Sequence, residues 1–248
     1  MRLDLSAARL KLERADHHLK ALQTLLDTYI RYNEHRIETV QEEGVPGLTV
    51  LAYFDRPLPP EVPGLVGDAL ANLRTSLDCL AVAAIVSNHV DPDQSAHFPI
   101  CPDELKFEKQ IGIALKGASP SFVAHIRTLR PYLNELDSRL YVLEHLLGLD
   151  RQRPLRPRVD VFAVLNLEVT DASGNTLMTM GEINTRGSQS INPQSLGGAG
   201  LRYGTNSSAR FGIVFANTNF LDGHEVLAVL LELQGRVAEI VGQFDGAP

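Results

Sequence analysis

The sequence predicts an α+β protein with a helical core built on long first, central and last helices. An antiparallel sheet is supplied mainly by the C-terminal half. Three observations carry that prediction. Apolar residues recur at helical spacing near both ends of the chain and across its middle. β-Branched and alternating runs gather after residue 158. The 248 residues are 44% apolar and 21% charged, a composition that can bury a core and does not describe a disordered chain. The division is a mainly helical region, 1–150, with one early strand, and a second region, 151–248, with strands, a long loop and a terminal helix. That last helix packs back on the helical core, so the two regions make one domain overall.

Leu12, Ala15, Leu19, Leu22, Leu26 and Tyr29 repeat at threes and fours and form one apolar stripe on a long first helix. Gly44-Val45-Pro46-Gly47 is a turn, and Leu48 to Phe54 reads as a strand. Pro57, Pro59, Pro60 and Pro63 form a connector, with Pro63 placed in the first turn of a helix from about Val62 to Ser87. Val66, Leu70, Leu73, Leu77, Leu80 and Ala84 line one face of it. Beyond Leu80 it is apolar all round, as befits a central helix. Shorter helices are expected near 102–115, 121–129 and 138–149. Arg151 to Arg158 reads as a basic, proline-punctuated connector. Val159–Thr170 and Thr176–Ile183 form a hairpin about the turn 171–175, and Arg210–Phe215 is a further strand. Residues 184–208, rich in Gly, Ser and Asn, read as a long loop of the functional or mobile kind. In the last helix Asp222 is expected at the N-cap with Glu225 three residues on. Val226, Leu230, Leu233, Val237, Ile240 and Phe244 then form a stripe matching that of the first helix.

A net charge of −7 favours solubility and disfavours general attraction to phosphate backbones, so RNA is not an expected partner. The two cysteines, Cys79 and Cys101, form no CxxC pair and are expected as reduced thiols in the cytoplasm. The N-terminus scatters charges among its apolar residues and lacks a signal-peptide h-region. The longest apolar runs, Leu80–Val86 and Val226–Leu231, fall far short of the ~18 residues of a membrane span.

Motifs for nucleotide phosphates, nucleophile elbows and zinc peptidases are absent, and no ExxH pair exists. No metal or cofactor is therefore expected. The glycines at 197, 198, 200 and 204 follow no strand and precede no helix, which marks a loop rather than a phosphate cradle. Glu13 and His17 share a helix face, but two residues make a poor metal site, and His18 points about 100° away from His17. Cys101, just ahead of Pro102-Asp103-Glu104, sits where a helix N-terminus would favour a thiolate, but the two acids oppose that effect and it reads rather as a small buried residue. Arg151, Arg153, Arg156 and Arg158 are four cations in eight residues, able to meet an anion or to remain a solvated linker.

The most distinctive stretch is Gly67 to Leu80. At helical spacing Asp68, Asn72, Thr75 and Cys79 share a face, while Arg74 and Asp78, four apart, can pair on a neighbouring one. Buried charge is costly unless paired, so a helix made for burial must hold these groups in a network or turn them to a cleft.

This helix resembles that of a group of uncharacterised bacterial proteins reading G-D-x-x-x-N-L-R-S-x-L-D-H-L. In that group F-P-I, Q-P-Y and D-K-H-R segments follow. The matches here are Gly67, Asp68, Asn72, Leu73, Arg74, Leu77 and Asp78, then Phe98-Pro99-Ile100, Pro131-Tyr132 and Asp150-Arg151-Gln152-Arg153. The R-x-x-x-x-H within that pattern is also similar to the core motif of HEPN-type ribonucleases. In those enzymes Arg and His from two subunits assemble an RNA-cleaving site, with His as acid or base and Arg stabilising the phosphorane. Cys79 stands at the histidine position and Gln152 at the later one.

Two function classes follow. The first is a non-catalytic binding or assembly protein acting as a homodimer through its striped helices, with contacts at Asp68, Asn72, Arg74, Asp78, Asp150, Arg151 and Arg153. The second, implied by the resemblance alone, is a degenerate HEPN-like ribonuclease of stress or phage-defence type. Arg74, Asp78 and Cys79 are its catalytic candidates.

Overall fold

The structure is a computed structural model that describes residues 3–40, 49–132, 139–170, 173, 175–184, 200–202 and 207–245. The first helix, α1, runs Ser6–Tyr32 and buries Ala8, Ala15, Leu19, Leu22, Leu26 and Tyr29, the stripe read from the sequence, with Leu12 half-buried. Asn33 stops it by turning extended, and its amide clamps Arg56: Nδ2 donates to the Arg56 carbonyl at 3.0 Å and Oδ1 accepts the Arg56 amide at 3.1 Å. Two strands follow where one was expected. β1 (His35–Val40) pairs antiparallel with β2 (Thr49–Phe54), Ile37 facing Ala52. The charges of His35, Arg36 and Glu38 hide β1 from a hydrophobicity reading, because a hairpin strand needs its backbone partner more than an apolar face. The turn expected at Gly44–Gly47 lies outside the described residues.

The central helix, α2, spans Glu61–Val86 with Pro63 in its first turn, as expected. It is the one described helix long and apolar enough to cross a membrane by length and composition, although neither short apolar run suggested it. It crosses the core instead: Val62, Val66, Leu70, Leu73, Leu77 and Leu80 are fully buried. α1 packs along it, and α5 (Arg139–Gln152) and α6 (Val226–Gly242) also lie against it. α6 also packs on α1, so the matching stripes of the first and last helices meet inside one chain. Ser76 Oγ, buried between α2 and α1, donates to the Ala8 carbonyl at 2.8 Å. Two short helices cover this bundle. α3 (Glu104–Ala114) is capped by Asp103, which accepts the Lys106 amide at 2.7 Å, and α4 (Pro120–Thr128) by Ser119, with Pro120 at its first position. An Arg127–Glu108 ion pair at 2.8 Å ties the two together.

The sheet of the C-terminal half is built on one long strand, β3 (Arg158–Thr170). β4 (Thr176–Asn184) pairs antiparallel along one side of it, Leu167 facing Met180. On the other side β6 (Ser208–Val214) pairs with residues 158–165 and β5 (Gly200–Arg202) with residues 168–170. The register of β3 with β6 shifts between Val161 and Ala163, leaving Phe162 as an extra residue. Its ring lies over Gly212, where a Cβ would collide with the ring carbons. The hairpin joins the sheet through Phe54, whose ring meets Phe211 edge-on at 4.9 Å and stacks on Tyr29 at 5.7 Å.

Three further expectations are corrected. Arg151 and Gln152 belong to the last turn of α5, so the basic connector begins only at Arg153. Part of the expected 184–208 loop is strand: Asn184 ends β4, three residues form β5, and Ser208, preceded by Ser207, opens β6. The remainder, 185–199 and 203–206, lies outside the described residues. Asp222 does not cap α6, whose N-cap is Glu225 without a side-chain bond. Asp222 instead reaches back to buried Thr218, accepting its amide at 2.6 Å and its hydroxyl at 2.9 Å. That arrangement stabilises a bend in which Asn217 (φ 59°) and Asn219 (φ 62°) are left-handed, a region Asn tolerates better than most residues.

Candidate functional site

The polar residues of α2 separate into two groups. Arg74 and Asp78, one turn apart, turn inward; Asp68 and Asn72 turn outward. Arg74 is 9% exposed and every nitrogen of its guanidinium is engaged. Nη1 donates to Asp78 Oδ1 at 2.6 Å, Nε to Glu144 Oε2 of α5 at 2.9 Å, and Nη2 to the Phe98 carbonyl at 2.8 Å. The same Asp78 oxygen accepts the Phe98 amide at 2.9 Å. Both backbone polar groups of Phe98 are therefore held by one ion pair, and its ring is fully buried in the core. The site is a clamp: a planar cation bridges two helices and pins the connector that carries Phe98-Pro99-Ile100. Arginine suits this role because its rigid fork presents several donors at fixed angles, which an ammonium does not.

Glu144 and the Phe98 backbone escaped the sequence reading. Glu144 lies on another helix with nothing in its neighbours to mark it, and the only trace of Phe98 is the F-P-I match. One signal pointed toward Glu144: an arginine on a buried helix with a single carboxylate at helical spacing leaves donors over, so a second acceptor had to come from elsewhere.

The outward group makes no shared network. Asn72 Nδ2 donates to the Asp68 carbonyl at 2.8 Å and Thr75 Oγ1 to the Ala71 carbonyl at 2.7 Å, each a bond within its own helix. Asp68 lies 4.0 Å from His18 Nδ1 across the seam with α1, its side chain 64% exposed. Cys79 is half-buried on the same seam. Burial pushes its thiol above the ordinary value, Lys11 opposes the shift and Asp78 adds to it. That is the reverse of the shift that makes a reactive thiolate. Cys101 is buried and free, and its thiol is likewise raised by burial, then by Asp103 and Glu144. Its amide donates to the Pro131 carbonyl at 3.0 Å, so the Pro-Tyr match serves to tie two connectors together.

Asp150 sits opposite Gly67, where a Cβ would lie 2.6 Å from its Oδ2. The absence of a side chain at Gly67 leaves room for the Asp150 carboxylate to lie against α2. Asp150 Oδ1 also accepts the Leu155 amide at 3.3 Å. Arg151 and Arg153 are exposed at the end of α5, Arg153 reaching the Asn217 carbonyl at 3.5 Å. The eight residues singled out therefore make no single cleft. An open, mainly apolar cleft of about 190 Å³ at the C-terminal end of α1, lined by Tyr29, Tyr32, Asn33 and Arg56 among others, contains none of them. Among the described residues no three His, Cys, Asp or Glu side chains converge as metal ligands would. Compared with protein-family models, curated proteins and solved structures, the chain matches none.

Proposed function

We propose that this chain is a non-catalytic binding or assembly protein that acts as a homodimer in the cytoplasm. The observation that carries the reading is the engagement of Arg74. In an R-x-x-x-x-H ribonuclease the arginine must meet a phosphate whose charge grows in the transition state. Here all three guanidinium nitrogens already hold Asp78, Glu144 and Phe98, and two carboxylates beside the cation would repel an incoming phosphate. A raised Cys79 thiol in the histidine position supports the same view, since neither proton acceptance nor donation near neutral pH suits it. The overall charge of −7 weighs against RNA as a ligand. Polar groups suited to partner contact are exposed Asp68 and half-buried Asn72 on α2, and exposed Arg151 and Arg153 beyond it.

The test uses the full chain with single-stranded and hairpin RNA, alongside native mass spectrometry. Intact RNA after prolonged incubation and a dimeric mass are the expected results. RNA cleavage that disappears in Cys79→Ala, with the melting curve unchanged, would establish the ribonuclease reading in its place.

A further inference from the structure

The run from Arg151 to Arg158 holds four arginines, and no acid lies between Asp150 and Asp160. All four arginines are exposed. Arg151 belongs to the last turn of α5, where a cation meets the partial negative charge of the helix end. That explanation does not reach Arg156 and Arg158, which lie well beyond the helix. The run stands out because the whole chain carries −7, and its remainder is more acidic still.

The backbone beneath these cations is held in place. The Arg153 amide donates to the Leu149 carbonyl at 3.0 Å and closes the end of α5. Leu155 is buried in the core, and its amide donates to Asp150 Oδ1 at 3.3 Å. Pro154 and Pro157 restrict the chain on either side of it. With Leu155 turned inward and Pro157 half-buried, Arg156 and Arg158 are left facing solvent. Cations carried on a fixed backbone lose less entropy on meeting a ligand than cations on a loose tether. Nor do the nearby acids neutralise them. Asp150 is taken by the Leu155 amide, and Asp160 Oδ1 accepts the Val161 amide at 2.9 Å while its Oδ2 lies 3.6 Å from Arg158. Asp222, which Arg158 also influences, is bound to Thr218. Among the described residues Arg151 and Arg156 have no acid within ion-pair distance, and residues 185–199 and 203–206 contain none to offer.

We propose that the Arg151–Arg158 run is a docking surface for a short acidic segment of a partner protein. The proposal rests on the non-catalytic binding reading above and names its surface and the chemistry of the partner. A guanidinium fork takes a carboxylate through two parallel hydrogen bonds, so four of them on one held segment suit several carboxylates in succession. The extent of the run favours a short peptide over a nucleic acid. Eight residues span less than about 30 Å even when fully extended. An acidic stretch can end where the cations end. A nucleic-acid strand continues past them onto an acidic chain, and the repulsion met there offsets what the run supplies.

The test titrates the full chain into fluorescein-labelled hexaglutamate at low ionic strength and reads anisotropy, with labelled hexaglutamine and hexauridylate RNA in parallel. Hexaglutamate should bind, hexaglutamine should not, and the binding should fade as salt rises to physiological strength. Arg151→Glu combined with Arg156→Glu reverses the two cations that hold nothing else, and should weaken hexaglutamate roughly tenfold or more with the circular dichroism unchanged. Arg14→Glu combined with Arg31→Glu, both exposed on α1, changes the total charge equally and should cost no more than about threefold. Absence of hexaglutamate binding, or an equal loss from the two double variants, overturns the proposal. So does hexauridylate that binds more tightly than hexaglutamate and is lost with Arg151 and Arg156, since the run would then be a nucleic-acid surface. Those failures leave the non-catalytic reading standing; hexauridylate cut by the full chain overturns that reading itself.

Discussion

Replacing Arg74 by alanine removes the cation from between two carboxylates and the donor from the Phe98 carbonyl. Breaking a fully buried ion pair from one side costs about 3–5 kcal/mol, because the remaining charge is left uncompensated. Asp78 and Glu144 keep 33% and 36% of their side chains exposed, so water reaches them and the lower end applies, about 3 kcal/mol. The orphaned carbonyl adds about 1 kcal/mol. The expected loss is therefore about 4 kcal/mol, a large share of the 5–15 kcal/mol that holds an ordinary domain together. Arg74→Lys keeps the charge but cannot reach three acceptors at once, and should cost about half as much. Equilibrium urea unfolding reads both values: at a slope of about 2 kcal/mol/M, alanine moves the midpoint by about 2 M. A double-mutant cycle with Asp78→Asn should show a coupling of about 1 kcal/mol or more. An alanine variant that loses less than about 1 kcal/mol would refute the clamp and return Arg74 to the pool of residues free to meet a ligand.

Three other outcomes are expected. Gly212→Ala drives a methyl into the Phe162 ring and should destabilise the sheet by about 1–3 kcal/mol in the same urea assay, with a cost near zero showing that the bulge yields freely. Alkylation near pH 8 should label Cys79 more slowly than a small free thiol and Cys101 more slowly still, both reacting fast once urea unfolds the chain; a Cys79 faster than the free thiol would mean its thiolate is stabilised. The Asp222 carboxyl is held below its ordinary value, chiefly by the Thr218 amide and further by the Thr218 hydroxyl. Its contribution is therefore present above about pH 3.9 and lost as pH falls through the lower folded value. Asp222→Asn should flatten that acid limb of the stability profile, and an unchanged limb would show that the bend does not depend on the charge.

The helical half was legible because its signals are local. The stripes of α1, α2 and α6 can be counted from residues three and four apart, and the Arg74–Asp78 pair from a single turn. β1 and β5 were not legible, since short strands are held by backbone bonds to a partner strand, β2 for the one and β3 for the other, and need no side-chain pattern of their own. Asp222 was misplaced for a related reason: the same carboxylate can cap the helix ahead of it or hold the bend behind it. The choice fell to Thr218, which is buried and needs an acceptor.

By itself the sequence determined that this is an α+β chain with a buried central helix carrying a cation and acids that had to be satisfied. Only the tertiary structure decided how. It brought Glu144 from 70 residues away and the Phe98 backbone from 24, and it left Asp68, Asn72, Arg151 and Arg153 outside the clamp. The physical reason is that desolvating a charge makes a partner obligatory without naming it, and which acceptors arrive depends on which helices and connectors the core draws together.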